Sequence, residues 1–230
     1  MQFDFETGEI LLVNKPLTWT SFDVVKKVRN ILRIKKIGHA GTLDPLAEGL
    51  LILCTGKFTK KIEEIQAQEK EYTGHFTVGQ TTPSFDLETE VDAESDYSYL
   101  TEELIRKTAQ SFEGTIEQIP PLYSAVKVNG ERAYTVARRG DTAEIKAKFI
   151  QIKSFEINSI NLPLVSFKVI CSKGTYIRSL ARDFGIALGC GAHLSKLVRT
   201  RIGPYELEKA LTMEDIQHIR RQIIENASHS

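Results

Sequence analysis

Gly38-His39-Ala40-Gly41-Thr42-Leu43-Asp44-Pro45-Leu46-Ala47-Glu48-Gly49-Leu50-Leu51 is the stretch on which the reading of this chain turns. Gly38, Gly41 and Gly49 admit positive φ or the close approach of another chain segment, and Pro45 drives Asp44 out of the α region into an extended conformation. Asp44 is therefore a loop residue with a set direction. Leu50-Leu51-Ile52-Leu53-Cys54 follows as a short apolar run stopped by Thr55-Gly56, the pattern of a buried strand. Taken alone, an Asp-Pro pair serves most often as a turn. A polar loop feeding a buried strand is also a place where a carboxylate can be held for chemistry.

Charge around this stretch is segregated although the totals cancel, with 30 basic and 30 acidic residues in 230. Lys26, Lys27, Arg29, Arg33, Lys35 and Lys36 precede it without an intervening acid, whereas Asp86, Glu88, Glu90, Asp92, Glu94, Asp96, Glu102 and Glu103 follow without a base. The first run suits phosphate neutralisation; the second suits a solvated face turned away from a polyanion. Either run alone reads equally as an ordinary solvated surface. Asp44 is thus a candidate aimed at a polyanion.

Hydrophobic content of 41% over this length is enough for a sizeable core. The N-terminal residues lack the basic and apolar regions of a signal peptide, and no apolar run reaches the roughly 18 residues of a membrane span. The expected location is cytoplasmic. Cys54, Cys171 and Cys190 are odd in number, widely separated and without paired ligand spacing, so the expectation is buried thiols, with no disulfide framework and no zinc site; with no nucleotide loop or metal cluster in the sequence, no cofactor is expected.

The local patterns predict an α+β fold. Ile10–Val13 reads as a strand, and Thr20-Ser21-Phe22-Asp23 as a capping box opening a helix with Val25, Val28 and Leu32 inward and its lysines outward. Tyr72–Val78 and Val165–Ser172 read as strands, Thr101–Phe112 and Ile177–Leu188 as helices stopped by glycines. Thr212–Ile224 repeats the capping box with Asp215 and carries Ile216, Ile219 and Ile223 on one stripe.

The Gly38–Leu51 string resembles the signature of the bacterial tRNA pseudouridine synthase B (TruB) family, whose Gly-His-x-Gly-x-Leu-Asp-Pro-Leu-Ala-x-Gly pattern carries a catalytic aspartate. Ala40 and Glu48 stand where small hydroxyl residues are expected. The resemblance spans roughly residues 8–217 and implies a mixed, mainly antiparallel sheet flanked by helices. It implies one catalytic domain over residues 1–230 with an RNA-clamping insertion at about 120–150; many members of the family continue into a small RNA-binding PUA domain, and the expectation for this chain departs from them in having no separate C-terminal RNA-binding domain. The implied reaction converts uridine-55 in the T loop of tRNA to pseudouridine, with the T arm as partner.

Site residues follow from the same resemblance. Asp44 is implied as the nucleophile, Arg178 in Gly174-Thr175-Tyr176-Ile177-Arg178 as its ion-pair partner, and Tyr72 as the residue stacked on uracil. An adjacent arginine would oppose the tendency of burial to neutralise a carboxylate. His39, Lys15, Tyr176 and Leu197 are implied at the substrate pocket. Lys35, Lys36, Lys127, Arg132, Arg138 and Arg139 are expected phosphate contacts, the last four within a segment mixing basic, aromatic, proline and glycine residues. Two other classes stay open: an RNA-folding factor using the same surface, and a glycoside hydrolase, for which Glu48 is the only nearby second carboxylate.

Overall fold

The apolar run after Asp44 becomes the central strand of its part of the molecule, and the elements around it form where local patterning places them. The structure, a computed structural model, describes residues 4–124, 127, 128, 131–133, 135, 139 and 145–228. The chain divides into two compact units, one of Met1–Tyr72 with Val198–Ser230 and one of Thr73–Leu197.

In the first unit, β1 (Ile10–Lys15) pairs antiparallel with β3 (Ala47–Thr55), with Val13 opposite Leu51 and Lys15 opposite Gly49. The short β2 (Ile37–His39) pairs with the end of β3, and residues 198–202 of β12 (Ala192–Ile202) continue the sheet. Helix α1 (Ser21–Leu32) has the predicted capping box, the Asp23 amide donating to Thr20 Oγ1 at 3.0 Å and the Thr20 amide to Asp23 Oδ2 at 3.0 Å. Its Val24, Val28 and Leu32 pack with Leu11, Val13, Leu51 and Leu53. Fully burying one such side chain is worth about 1.5–3 kcal/mol. The C-terminal helix (Met213–Ser228) opens on the Thr212–Asp215 box and adds Ile216 to this core, with Ile219 packed at its edge.

In the second unit, the order is residues 192–197 of β12, residues 73–78 of β4 (Lys70–Val78), β11 (Leu164–Cys171), β10 (Lys148–Asn161) and β7 (Gly114–Gln118). β11 and β7 flank β10, both antiparallel to it. Phe76 stacks on Phe167 with ring centroids 4.1 Å apart, and Phe155 and Phe184 close the cluster. The helices Glu102–Ser111 and Ile177–Leu188 lie where the sequence predicts, the second ending on Gly189 in the left-handed region.

β10 is a 14-residue strand that the sequence patterns do not announce. Register shifts between Ile152 and Ser154 and between Ile157 and Ser159 break its alternation, so Ile150, Ile152, Phe155 and Ile157 all turn inward although their spacing is irregular. Within the expected insertion, Lys127–Val128 and Glu131–Arg132 form a two-stranded antiparallel ladder. The fold is α+β with antiparallel strand pairings, as predicted. Among the described residues no helix is long and apolar enough to cross a membrane.

Candidate active site

Asp44 sits in the loop that enters β3, and the loop's backbone is a turn: the Asp44 carbonyl accepts from the Ala47 amide at 3.0 Å, with Pro45 at the second position. Its residues are half-buried or buried except Thr42 and Pro45. Three buried side chains of the first unit hold this turn. Ser21 Oγ accepts from the Leu43 amide at 2.9 Å and donates to the Leu43 carbonyl at 3.1 Å. Lys15, with no exposed surface, donates from Nζ to the carbonyls of Trp19 at 2.6 Å, Pro16 at 2.9 Å and Pro45 at 3.3 Å.

Arg199 is the third anchor and comes from β12. Its Nε donates to the Leu50 carbonyl at 2.8 Å, its Nη2 to the Gly41 carbonyl at 3.1 Å and its Nη1 to the Thr42 carbonyl at 3.3 Å. Gly49 makes this approach possible: at φ +100° a Cβ there would collide with the Arg199 carbonyl oxygen. Burial pushes the guanidinium below its usual pKa, while the charge of Tyr72, a hydrogen bond with Tyr72 and the charge of Asp44 oppose that. Arginine stays protonated regardless.

Burial likewise pulls Lys15 down to about 8, against the opposing charges of Glu48 and Asp44. Lys15 is expected at the pocket wall; the structure makes it an internal strut of the Asp44 turn. The sign of its pH effect follows. Below about 8 the folded and unfolded chains both hold this proton, and between about 8 and 10.5 only the unfolded chain does, so stability rises with pH through that window. The full interval corresponds to about 3 kcal/mol. Urea unfolding at pH 7.5 and 9.5 should show the wild-type advantage over Lys15→Met growing with pH; a constant difference would contradict the assignment.

His39, at the end of β2, is half-buried, and burial lowers its pKa, favouring the neutral imidazole. The Gly41 backbone opposes this through a hydrogen bond, and the Arg199 charge adds to the lowering. Asp44, Tyr72, His39 and Lys15 thus share Arg199 as an electrostatic neighbour within one unit. On the same unit, exposed Lys35 and Lys36 join Arg33, Lys57 and Lys60 along an open groove of about 930 Å³. The Lys35 ammonium lies 3.7 Å from the exposed Glu6 carboxylate, a pair that solvent screens.

The remaining expected residues belong to the second unit. Arg178 stands in the first turn of the Ile177–Leu188 helix, buried, with Nε 3.5 Å from Asp86 Oδ2 and Nη1 donating to the Tyr123 carbonyl at 2.8 Å. Tyr176 caps that helix, its amide and carbonyl both engaged by the Gln118 side chain at 2.8 and 3.2 Å. Leu197 is buried on β12. Lys127 and Arg132 lie on the described ladder, Arg139 is exposed, and Arg138 lies outside the described residues.

Sequence reasoning missed two charged residues. Asp86 is read there as part of a solvated acidic tract, and the other acids of that tract are exposed, but Asp86 is buried against Arg178. Arg199 falls two positions after buried Leu197, on the same strand face, which marks it as inward-pointing. Among the described residues no group of three His, Cys, Asp or Glu is placed to hold a metal ion.

Known proteins resemble this chain over most of its length. Residues 29–177 match a profile described as "TruB family pseudouridylate synthase (N terminal domain)", and residues 178–228 match "tRNA pseudouridylate synthase B C-terminal domain". A curated relative from Parabacteroides distasonis, called tRNA pseudouridine synthase B, is 53% identical over 95% of this chain and 96% of its own length. One of the same description from Phocaeicola vulgatus is 54% identical over 92% of each chain. A solved structure described as "Structure of H/ACA RNP bound to a substrate RNA containing 2'-deoxyuridine" superposes with a TM-score of 0.73 at 27% identity, covering 97% of this chain but 56% of that one.

Proposed function

Since the chain belongs to the TruB family of pseudouridylate synthases, we propose that it isomerises uridine-55 in the T loop of tRNA to pseudouridine. The observation that carries this reading is a half-buried aspartate on a turn whose flanking backbone is anchored by Ser21, Lys15 and Arg199. Such a carboxylate is pre-positioned, and pre-positioning is what lowers the barrier when a reacting sugar must meet it in one orientation.

The chemistry breaks the C1′–N1 bond, turns the freed uracil and forms a C1′–C5 bond; the C5 proton leaves and N1 regains one. No electrons are exchanged with an outside group. Asp44 acts on the sugar, as a nucleophile at C1′ or as a base, and Arg178 is its proposed ion-pair partner. The target base leaves the folded loop to reach the site. Tyr72 stacks on it, worth about 1–3 kcal/mol, while His39 fills space among the displaced bases and Leu197 and Tyr176 line the pocket. A tRNA substrate implies a cytoplasmic enzyme.

Binding of the T arm rests on the basic groove with Lys35 and Lys36 and on the insertion bearing Lys127, Arg132, Arg138 and Arg139. Two measurements test the proposal together. Tritium at C5 of uridine should be released from a tRNA transcript, and not from the same transcript with cytidine at position 55 or from free uridine. Affinity should fall steeply with salt. Removing Lys35 or Lys36 should flatten the slope of log K against log salt by about 0.7–0.9 for each phosphate left unneutralised. Liberation of free uracil from uridine, with its C5 tritium retained, would favour a glycosidase instead, and an unchanged slope would place the RNA elsewhere.

A further inference from the structure

We propose that Arg199 is a positioning residue for the reaction, holding the Asp44 turn against β12 and orienting the Tyr72 hydroxyl. This deepens the proposed function and rests on it. The case begins with burial: Arg199 is 1% exposed, the largest fully buried side chain described in the molecule, and a buried guanidinium is costly unless its donors are used. Its donors are used on one object. Gly41 and Thr42 precede Asp44, Leu50 follows it, and three guanidinium nitrogens take one carbonyl from each.

A fork spanning both limbs of a loop restrains that loop more tightly than one bond could, because moving either limb breaks a charge-assisted hydrogen bond worth about 1.5–3 kcal/mol. Tyr72, at the start of β4, is a further neighbour of this guanidinium, one that favours its charged form. The nucleophile's turn and the base-stacking ring are therefore indexed to one rigid planar group. Lysine cannot reproduce this: its three donors radiate from a point and cannot reach carbonyls spread along a fork. Arg199 itself needs no contact with substrate for this role.

The test uses Arg199→Lys and Arg199→Met in the full chain, with kcat and KM for tritium release from tRNA and thermal unfolding recorded for each. Both variants should lower kcat, by on the order of 10²-fold, with KM for tRNA changed less than about threefold, the pattern of a displaced reacting group rather than of weakened tRNA binding. Lysine should restore stability relative to methionine without restoring kcat. Should both variants fail to fold, ¹⁵N-arginine spectra of the wild type and Tyr72→Phe decide the matter. The proposal expects the Arg199 guanidinium signals to shift when the hydroxyl is removed.

Folded Arg199 variants with wild-type kcat, or an Arg199 signal indifferent to Tyr72→Phe, would overturn the inference. An Asp44→Asn control separates the two levels: if it stays active, the proposed function fails; if it is inactive while Arg199 variants turn over normally, only the positioning role fails.

Discussion

Asp44→Asn should abolish pseudouridine formation, lowering kcat by on the order of 10⁴-fold, the scale seen when a residue at the centre of a catalytic unit is removed. The backbone frame of the turn does not depend on the Asp44 carboxylate. The turn is held through backbone groups, by the Asp44 carbonyl with the Ala47 amide and by Ser21, Lys15 and Arg199 acting on Leu43, Pro45, Gly41 and Thr42. An isosteric amide leaves all of these in place, so folding and tRNA affinity should persist. Release of C5 tritium at the wild-type rate by this variant would remove Asp44 from the mechanism. Loss of release with retained tRNA binding would separate catalysis from any RNA-folding role of the same surface.

The largest effect on stability is expected at Arg178. Its guanidinium is buried beside the Asp86 carboxylate, and Asp86 also accepts the Glu88 amide at 2.9 Å. Arg178→Met strands a buried carboxylate, a change that costs about 3–5 kcal/mol and, at this chain length, lowers Tm by roughly 6–20 °C. Asp86→Asn should also destabilise, because Arg178 then loses one buried carboxylate while keeping its bond to the Tyr123 carbonyl. The double variant should cost less than the sum of the two, since both single changes remove the same Arg178–Asp86 interaction. Additive losses in a calorimetric double-mutant cycle would show that the pair is not coupled. Activity reads out separately: Asp86→Asn keeps the arginine proposed to serve Asp44, whereas Arg178→Met removes it.

Much of the fold could be read in advance because its signals are local. Thr20–Asp23 and Thr212–Asp215 are capping boxes within four residues, and Gly189 ends its helix because it takes the left-handed conformation at φ 82° without strain. β10 escaped because its signal is not local: the bulge between Ile152 and Ser154 re-aims Phe155 and Ile157, and only the neighbouring strands say where a bulge falls. The acidic tract was read correctly as a surface everywhere except Asp86, whose burial depends on a helix nearly a hundred residues away.

The same division applies to the site. From residues alone came Asp44 in a loop before Pro45, the basic run exposed on and after α1, and the buried strand behind them, all set by steric limits and periodicity within a short span. Chain folding alone supplied the partners: Lys15, expected to meet substrate, turns its ammonium to three carbonyls, and Arg199, overlooked, grips both sides of the Asp44 turn. A buried cation must find its acceptors wherever the backbone brings them, and for Arg199 those acceptors lie about 150 residues earlier in the chain. Distance along the chain hides such a bond from any reading of motif or spacing.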